Sequence, residues 1–370
     1  MKKILFLIHD LGEGGAEKVL VNLVNNLDKT KFDISVISLF GGGVNEKFLN
    51  KHIKYKTVFK KVIPGNSHIM KLFSPQLLHR MLIKDKYDVE VSYLEGPATR
   101  IVGGCDNPHI KLVTWVHCTF KNQQEVASSF RSKKETIKIY DKFDLVACVS
   151  KKVEENIINC YPNIKESVVL YNTNETGKIL SLKDESVSDI TFERNEHKLC
   201  AIGKLEKVKG FDRLIRIYEK LLKDGLKSHL YILGEGSERT EIERIIKEKN
   251  IEKHVTLLGY KQNPYKYISK CDLFICSSYS EGFSTAATEA LIVGIPVCTV
   301  DVSGMKEMLG DNNEYGVVVE NNEEALYQGI KDLLDSKEKL EYYTHKAKER
   351  GKDFNTYNTV KAVEDMLLNL

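Results

Sequence analysis

Short apolar runs and stretches of helical periodicity alternate from one end of this chain to the other, and few folds accommodate that pattern. In the first half the runs are KILFLI, FDISVISLF, VEVSYL, KLVTWVH, LVACVS and SVVLYN, rich in β-branched residues and too short for buried helices. In the second half they are KLCAIGKL, HLYILGEG, HVTLLGY, LFICSS, PVCTV and GVVV. Between the first two runs, Ala16, Val19, Leu20, Leu23, Val24 and Leu27 fall on one face of a helix. Continuous apolar strands separated by helices are what a parallel sheet covered on both faces requires. A length of 370 residues exceeds one ordinary core and divides naturally into two. The expected fold is α/β, with two facing Rossmann-like domains, each a doubly wound parallel sheet.

Domain limits follow from where the periodicity fails. Residues 173–197 (NTNETGKILSLKDESVSDITFERNE) are polar and charged, and are expected to link a domain at 1–172 to one at 198–350. Residues 351–370 regain helical spacing, with Val360, Val363, Met366, Leu367 and Leu370 set to pack on something. The N-terminal MKKILFLIHD has an apolar stretch of only Ile4 to Ile8, so it reads as a buried strand, not a leader peptide. No run approaches the ~20 apolar residues of a membrane span. The eight cysteines are scattered, mostly within strand-like runs and without a Cys-x-x-Cys pair, which fits reduced thiols in a cytoplasmic protein and gives no zinc motif. A net charge of +3 is no argument for nucleic acid, and no nucleic-acid-binding motif accompanies it.

Three strand-to-helix turns carry ligand-binding residue types. In LGEGGAEK, Gly14 and Gly15 allow close approach of backbone to a ligand. In GKLEKVKGFDRLI, Lys204 and Lys209 stand beside Gly203 and Gly210 on a loop before a helix, where compact cations suit phosphate. In EGFSTAATEALIVGIPV, Phe283 is expected to be buried and Ser284 to cap a helix, with Thr285 to Ala287 presenting N–H groups to an anion. Glu281 precedes that helix, and Glu289 lies about 7.5 Å along its axis from the cap. Two carboxylates in an otherwise small and apolar run need partners, and neighbouring hydroxyls on either side of a diphosphate would supply them.

The two glutamates with seven residues between them, GKL and KG upstream, GG in the first turn and GIPV downstream, resemble the family-4 retaining glycosyltransferases of the GT-B fold. The likeness runs over essentially the whole chain, and it implies a closing helix that crosses back to the first domain. It also implies a nucleotide-sugar donor held mainly by the second domain. Lys204 and Lys209 match the basic pair on the diphosphate, Ser284 and Thr285 further contacts to it, Glu289 the acid on ribose, and Glu281 the acid at the donor sugar. Gly15 matches a glycine near the donor phosphate, and His117 a histidine at the donor sugar. Two positions depart from the family pattern: Lys204 stands where arginine is usual, and Cys118 follows His117 where aspartate is common.

The activity implied is transfer of a sugar from a nucleotide diphosphate, UDP-hexose or UDP-N-acetylhexosamine, to a glycan, glycoprotein or lipid-linked acceptor. No Asp-x-Asp motif occurs, so neither metal nor cofactor is expected in turnover. Rival readings are a sugar-nucleotide epimerase and a non-catalytic GT-B partner subunit that binds a glycoprotein. Residues 51–86 hold nine Lys or Arg against the single acid Asp85, interleaved with Ile69, Met70, Leu72, Phe73, Leu77, Leu78, Met81 and Leu82. That composition suits either an amphipathic contact with an anionic membrane surface or a solvated face over a core.

Overall fold

The computed structural model describes residues 1–61, 65–192 and 196–370. Two compact units divide the chain, Met1–Asn174 with Tyr357–Leu370, and Glu175–Thr356.

In the first unit the described residues form β1 (Lys2–Ile8), β2 (Phe32–Phe40), β3 (Lys54–Phe59), β4 (Val89–Ser92), β5 (Lys111–Val116), β6 (Leu145–Cys148) and β7 (Ser167–Val169). They pair in the order β3-β2-β1-β4-β5-β6-β7, every pair parallel. The run Ile4–Ile8 is wholly buried, as expected of a strand at the centre of a sheet covered on both faces. Phe6 lies in register between Val36 and Val91, so the apolar runs line up across the sheet.

The second unit repeats the plan with β8 (His197–Ile202), β9 (Ser228–Leu233), β10 (Val255–Gly259), β11 (Leu273–Cys276), β12 (Val297–Val300) and β13 (Val317–Val319). The order is β10-β9-β8-β11-β12-β13, again all parallel. In each sheet the strand order reverses once, between β1 and β4 and between β8 and β11. Loops leaving the carboxyl ends there diverge to opposite sides and leave room for a ligand.

Twelve of the strands fall on the twelve apolar runs, and β3 is the one those runs do not mark. Its sequence KYKTVF alternates lysine with larger residues because it is an edge strand, where lysine hinders pairing with another chain. The basic segment 51–86 is therefore not one amphipathic element. It contains β3 and the short helices Asn66–Met70 and Pro75–Leu82, while residues 62–64 lie outside the described residues.

The polar stretch expected as a linker, 173–197, is built into the second unit from Glu175 onward. It includes the helix Thr176–Leu182, which buries only Ile179. Hydrogen bonds hold what apolar surface does not. Asn263 donates to the Leu182 carbonyl at 2.9 Å, Ser269 to that of Lys183 at 2.9 Å, and Lys261 pairs with Asp189 at 2.6 Å. Residues 193–195 of the stretch lie outside the described residues. At the other end, the helix Thr356–Asn369 packs on the first unit through Val360, Val363 and Leu367. Its Glu364 accepts from the Asp28 N–H at 2.8 Å and from Lys31 Nζ at 3.0 Å.

Candidate functional site

The loops after β8 and β11 flank the switch point of the second sheet, and they are stitched together before any side-chain chemistry begins. The Tyr279 N–H donates to the Val208 carbonyl at 2.7 Å, and Ser277 Oγ to that of Lys209 at 3.2 Å. Gly210 has φ +64, and a Cβ there would sit 2.1 Å from the Ser277 oxygen, so only glycine allows the approach. Arg213 locks the arrangement from beneath. Its buried guanidinium donates to the carbonyls of Ser277 and Ser278, each at 2.6 Å, and to Asn321 Oδ1 at 2.8 Å, while stacking 4.3 Å from the Tyr279 ring. Sequence reasoning missed this arginine. The available signal was a charged residue in line with Ile217 and Leu221 on the apolar stripe of the helix Phe211–Lys223.

On this frame Lys209 Nζ donates to both oxygens of Glu281, at 2.7 and 2.8 Å, and Ser278 Oγ donates to Oε1 at 2.5 Å. Burial alone would lower the Lys209 pKa, but the carboxylate's charge and hydrogen bonds outweigh it and hold the ammonium above its ordinary value. The site thus holds a fixed charge pair at its centre. The other lysine behaves differently: Lys204 is exposed and pairs with Glu206 at 3.1 Å. The basic pair read from the sequence is resolved into one half-buried cation paired with Glu281 and one surface cation paired with Glu206. Gly203 follows β8 and touches the neighbouring turn, since a Cβ on Gly234 would lie 1.9 Å from its oxygen.

The helix Thr285–Val293 opens beside this pair. Ser284 caps it, accepting from the Ala287 N–H at 3.3 Å. Ala287 is therefore engaged, and the N–H groups aimed ahead of the helix are those of Thr285 and Ala286. Phe283 is buried with its ring edge-on to Phe354, centroids 6.0 Å apart, so it packs the turn and presents no ring to a ligand. Glu289 is buried in mid-helix, where Tyr265 Oη donates to Oε1 at 3.1 Å. Tyr265 had no sequence signal, because it comes from a separate short helix, Tyr265–Ile268. A cavity of about 520 Å³, lined in part by His197, Asp224, Lys331 and Asp335, lies where β8 begins, at the other end of the sheet from these residues.

In the first unit, Gly14 is the N-cap of the helix Gly15–Asn26 and makes no side-chain cap. His117 follows β5 with its ring 4.9 Å from that of Tyr93. Its Nε2 is buried and has no hydrogen-bond partner among the described residues. Burial pushes its pKa down to about 3, opposed by a hydrogen bond with the Tyr93 backbone, so the imidazole is neutral at ordinary pH. Glu95 accepts from the backbone N–H groups of both His117 and Cys118, which fixes the turn. Cys118 is the exposed one of the eight free cysteines.

Paired all-parallel doubly wound sheets, with a cation, an acid and a helix N-terminus at the switch point of the second, are the build of GT-B glycosyltransferases. The glycosyl transferases group 1 model matches residues 183–350, and the glycosyltransferase family 4 model matches residues 13–174. N-acetylgalactosamine-N,N'-diacetylbacillosaminyl-diphospho-undecaprenol 4-alpha-N-acetylgalactosaminyltransferase of Campylobacter jejuni is 32% identical over 99% of each chain. A second enzyme of that organism, GalNAc-alpha-(1->4)-GalNAc-alpha-(1->3)-diNAcBac-PP-undecaprenol alpha-1,4-N-acetyl-D-galactosaminyltransferase, is 26% identical over 96% of this chain and 95% of that one. Among solved structures, Anabaena HepE in complex with UDP and glucose shares the fold with a TM-score of 0.79, at 18% identity over 100% of both chains. The chain belongs to the group 1, family 4 glycosyltransferases.

Proposed function

We propose that the protein transfers a hexose or N-acetylhexosamine from its UDP derivative to a lipid-linked glycan, with retention of anomeric configuration, in the synthesis of cell-surface polysaccharide or glycoconjugate. The observation that carries this reading is the Lys209–Glu281 pair beside the open N–H groups of Thr285 and Ala286. An ammonium and a helix N-terminus stabilise a departing diphosphate, and a carboxylate held by Lys209 and Ser278 is oriented to accept from sugar hydroxyls. Buried Glu289, oriented by Tyr265, suits the two ribose hydroxyls. In the proposed step the bond from the anomeric carbon to the β-phosphate oxygen breaks, and its electron pair leaves with UDP. The acceptor hydroxyl forms the new bond and its proton passes to a diphosphate oxygen. For Gly15 and His117, in the first unit, the support is the family resemblance.

The acceptor class is supported by the two Campylobacter relatives, whose names specify diphospho-undecaprenol substrates. No helix among the described residues is long and apolar enough to cross a membrane. The segment 51–86 nevertheless exposes Ile69, Leu72, Phe73, Leu77 and Met81 and also Lys60 and Lys61, which suits peripheral contact from the cytoplasmic side. Charge reversal at Lys60 and Lys61 is expected to weaken binding to anionic vesicles, and unchanged binding would leave the patch without that role.

The direct test is a screen of nucleotide sugars against a polyprenyl-diphosphate glycan in excess EDTA, scored by nucleoside diphosphate release and by the anomeric configuration of the product. UDP release with an α-product from an α-donor is expected. An inverted product, release only with a divalent cation, or return of an isomerised donor without acceptor would each overturn part of the reading.

A further inference from the structure

Inside the first unit, the helix Pro75–Leu82, β4 and the turn after the helix Pro97–Val102 each send one polar side chain to a common point. His79 comes from the helix, Glu90 from the strand and Cys105 from the turn, and their ligand atoms lie within 4.8 Å of one another. His79 Nε2 is 2.7 Å from Glu90 Oε2. Glu90 is fully buried, 0% exposed, on a strand between Leu5 and Leu112, and its Oε1 has no hydrogen-bond partner among the described residues. A core carboxylate with one oxygen unused is costly, and an apolar residue would pack there without that cost. A histidine ion pair satisfies only one of its oxygens.

We propose that His79, Glu90 and Cys105 bind a divalent transition-metal ion, of which zinc best matches the nitrogen, oxygen and sulfur donors. A thiolate and a carboxylate neutralise a divalent cation, so the site closes with no net charge in the dry interior, and the ion engages the carboxylate that histidine leaves half-satisfied. Zinc bonds of about 2.0 to 2.3 Å place two donors on one ion roughly 3–4 Å apart. Occupancy therefore requires the His79–Glu90 contact to open by less than about 1 Å. The His79 side chain, 12% exposed, marks the route of entry from the helix surface. A salt bridge from Arg80 to Asp106, the residue after Cys105, holds helix and turn close by other means. The ion would pin the helix Pro75–Leu82 to the sheet. All three ligands belong to the first unit, whereas Lys209, Glu281 and Glu289 belong to the second, and none of the three is among the residues assigned to the donor. Ligands at 79, 90 and 105 come from three elements, which is why cysteine spacing gives no sign of them.

Metal-stripped full-length protein titrated with Co²⁺ is expected to take up one equivalent with a sulfur-to-cobalt charge-transfer band, displaced by Zn²⁺. Cys105→Ser should abolish the band. His79→Gln, which retains the thiol and places a polar side chain of similar reach at this mostly buried position, should weaken Zn²⁺ binding by roughly 100-fold or more. Cys118→Ser, which removes the exposed thiol, should change neither. No band in the parent protein, a band that survives Cys105→Ser, one lost with Cys118→Ser, or unaltered Zn²⁺ affinity in His79→Gln would overturn the proposal.

Discussion

Lys209 and Glu281 are each other's main partner, and that changes how their removal should read. Truncating Lys209 leaves the buried Glu281 carboxylate without its cation, and truncating Glu281 leaves the half-buried ammonium without its carboxylate, so each single alanine variant should lose roughly 10²–10³-fold in kcat/KM. The losses should overlap, with the double variant falling short of their sum by about 1–3 kcal/mol in a double-mutant cycle. Additive losses would mean that the two act separately. His117 offers a test by pH. Its folded-state pKa, pushed down to about 3, lies below the ordinary histidine value near 6.5, so the native state resists a proton that the unfolded chain accepts. The resulting stability is fully present above about pH 6.5 and is lost as pH falls from there towards 3. Between pH 6.5 and 4.5 the parent protein should lose more stability in denaturant titrations than His117→Gln does. Equal losses would place the imidazole in contact with solvent.

At the scale of elements, the strands were legible and the braces were not. Buried parallel strands announce themselves as unbroken apolar runs, whereas β3, with lysines at a sheet edge, does not. Lys209, Glu281 and Ser284 stand in the loops after β8 and β11 or at a helix start, where local sequence marks candidates for a ligand, while Glu289 lies within the helix that follows. Arg213, Ser278 and Tyr265 act across loops, and Tyr265 is 24 residues from the carboxylate it orients. Only the packed chain reveals such pairings. Lys204, on the same loop as Lys209, is paired with Glu206 at the surface, a partner that its residue type and position did not reveal. Gly210 is where the two site loops touch, so Gly210→Ala should cost at least ~1–2 kcal/mol from the left-handed backbone, with more from the clash against the Ser277 carbonyl. A smaller shift in the denaturant midpoint would contradict so close an approach.

For the molecule as a whole, the family and its doubly wound units were readable because pattern, motif and length agreed, while the division between units was less so. Polar composition at 173–197 suggested a linker, but from Glu175 onward the stretch belongs to the second unit, where hydrogen bonds to the Leu182 and Lys183 carbonyls, buried Ile179 and the Phe192 ring on Tyr231 hold it. The central claim is that the second unit holds a uridine nucleotide through Lys209, the helix N-terminus and Glu289, with Glu281 serving the sugar. Calorimetry with UDP on the parent protein and on Glu289→Ala and Glu281→Ala tests that division most directly. Glu289→Ala should weaken UDP binding by about tenfold or more, the loss of a hydrogen-bonding carboxylate. Glu281→Ala should bind UDP at least as tightly as the parent, because the Lys209 ammonium is released from its carboxylate, while turnover of the UDP-sugar collapses. If the parent does not bind UDP, or if both variants bind it and turn over as the parent does, the donor site is not where these residues place it.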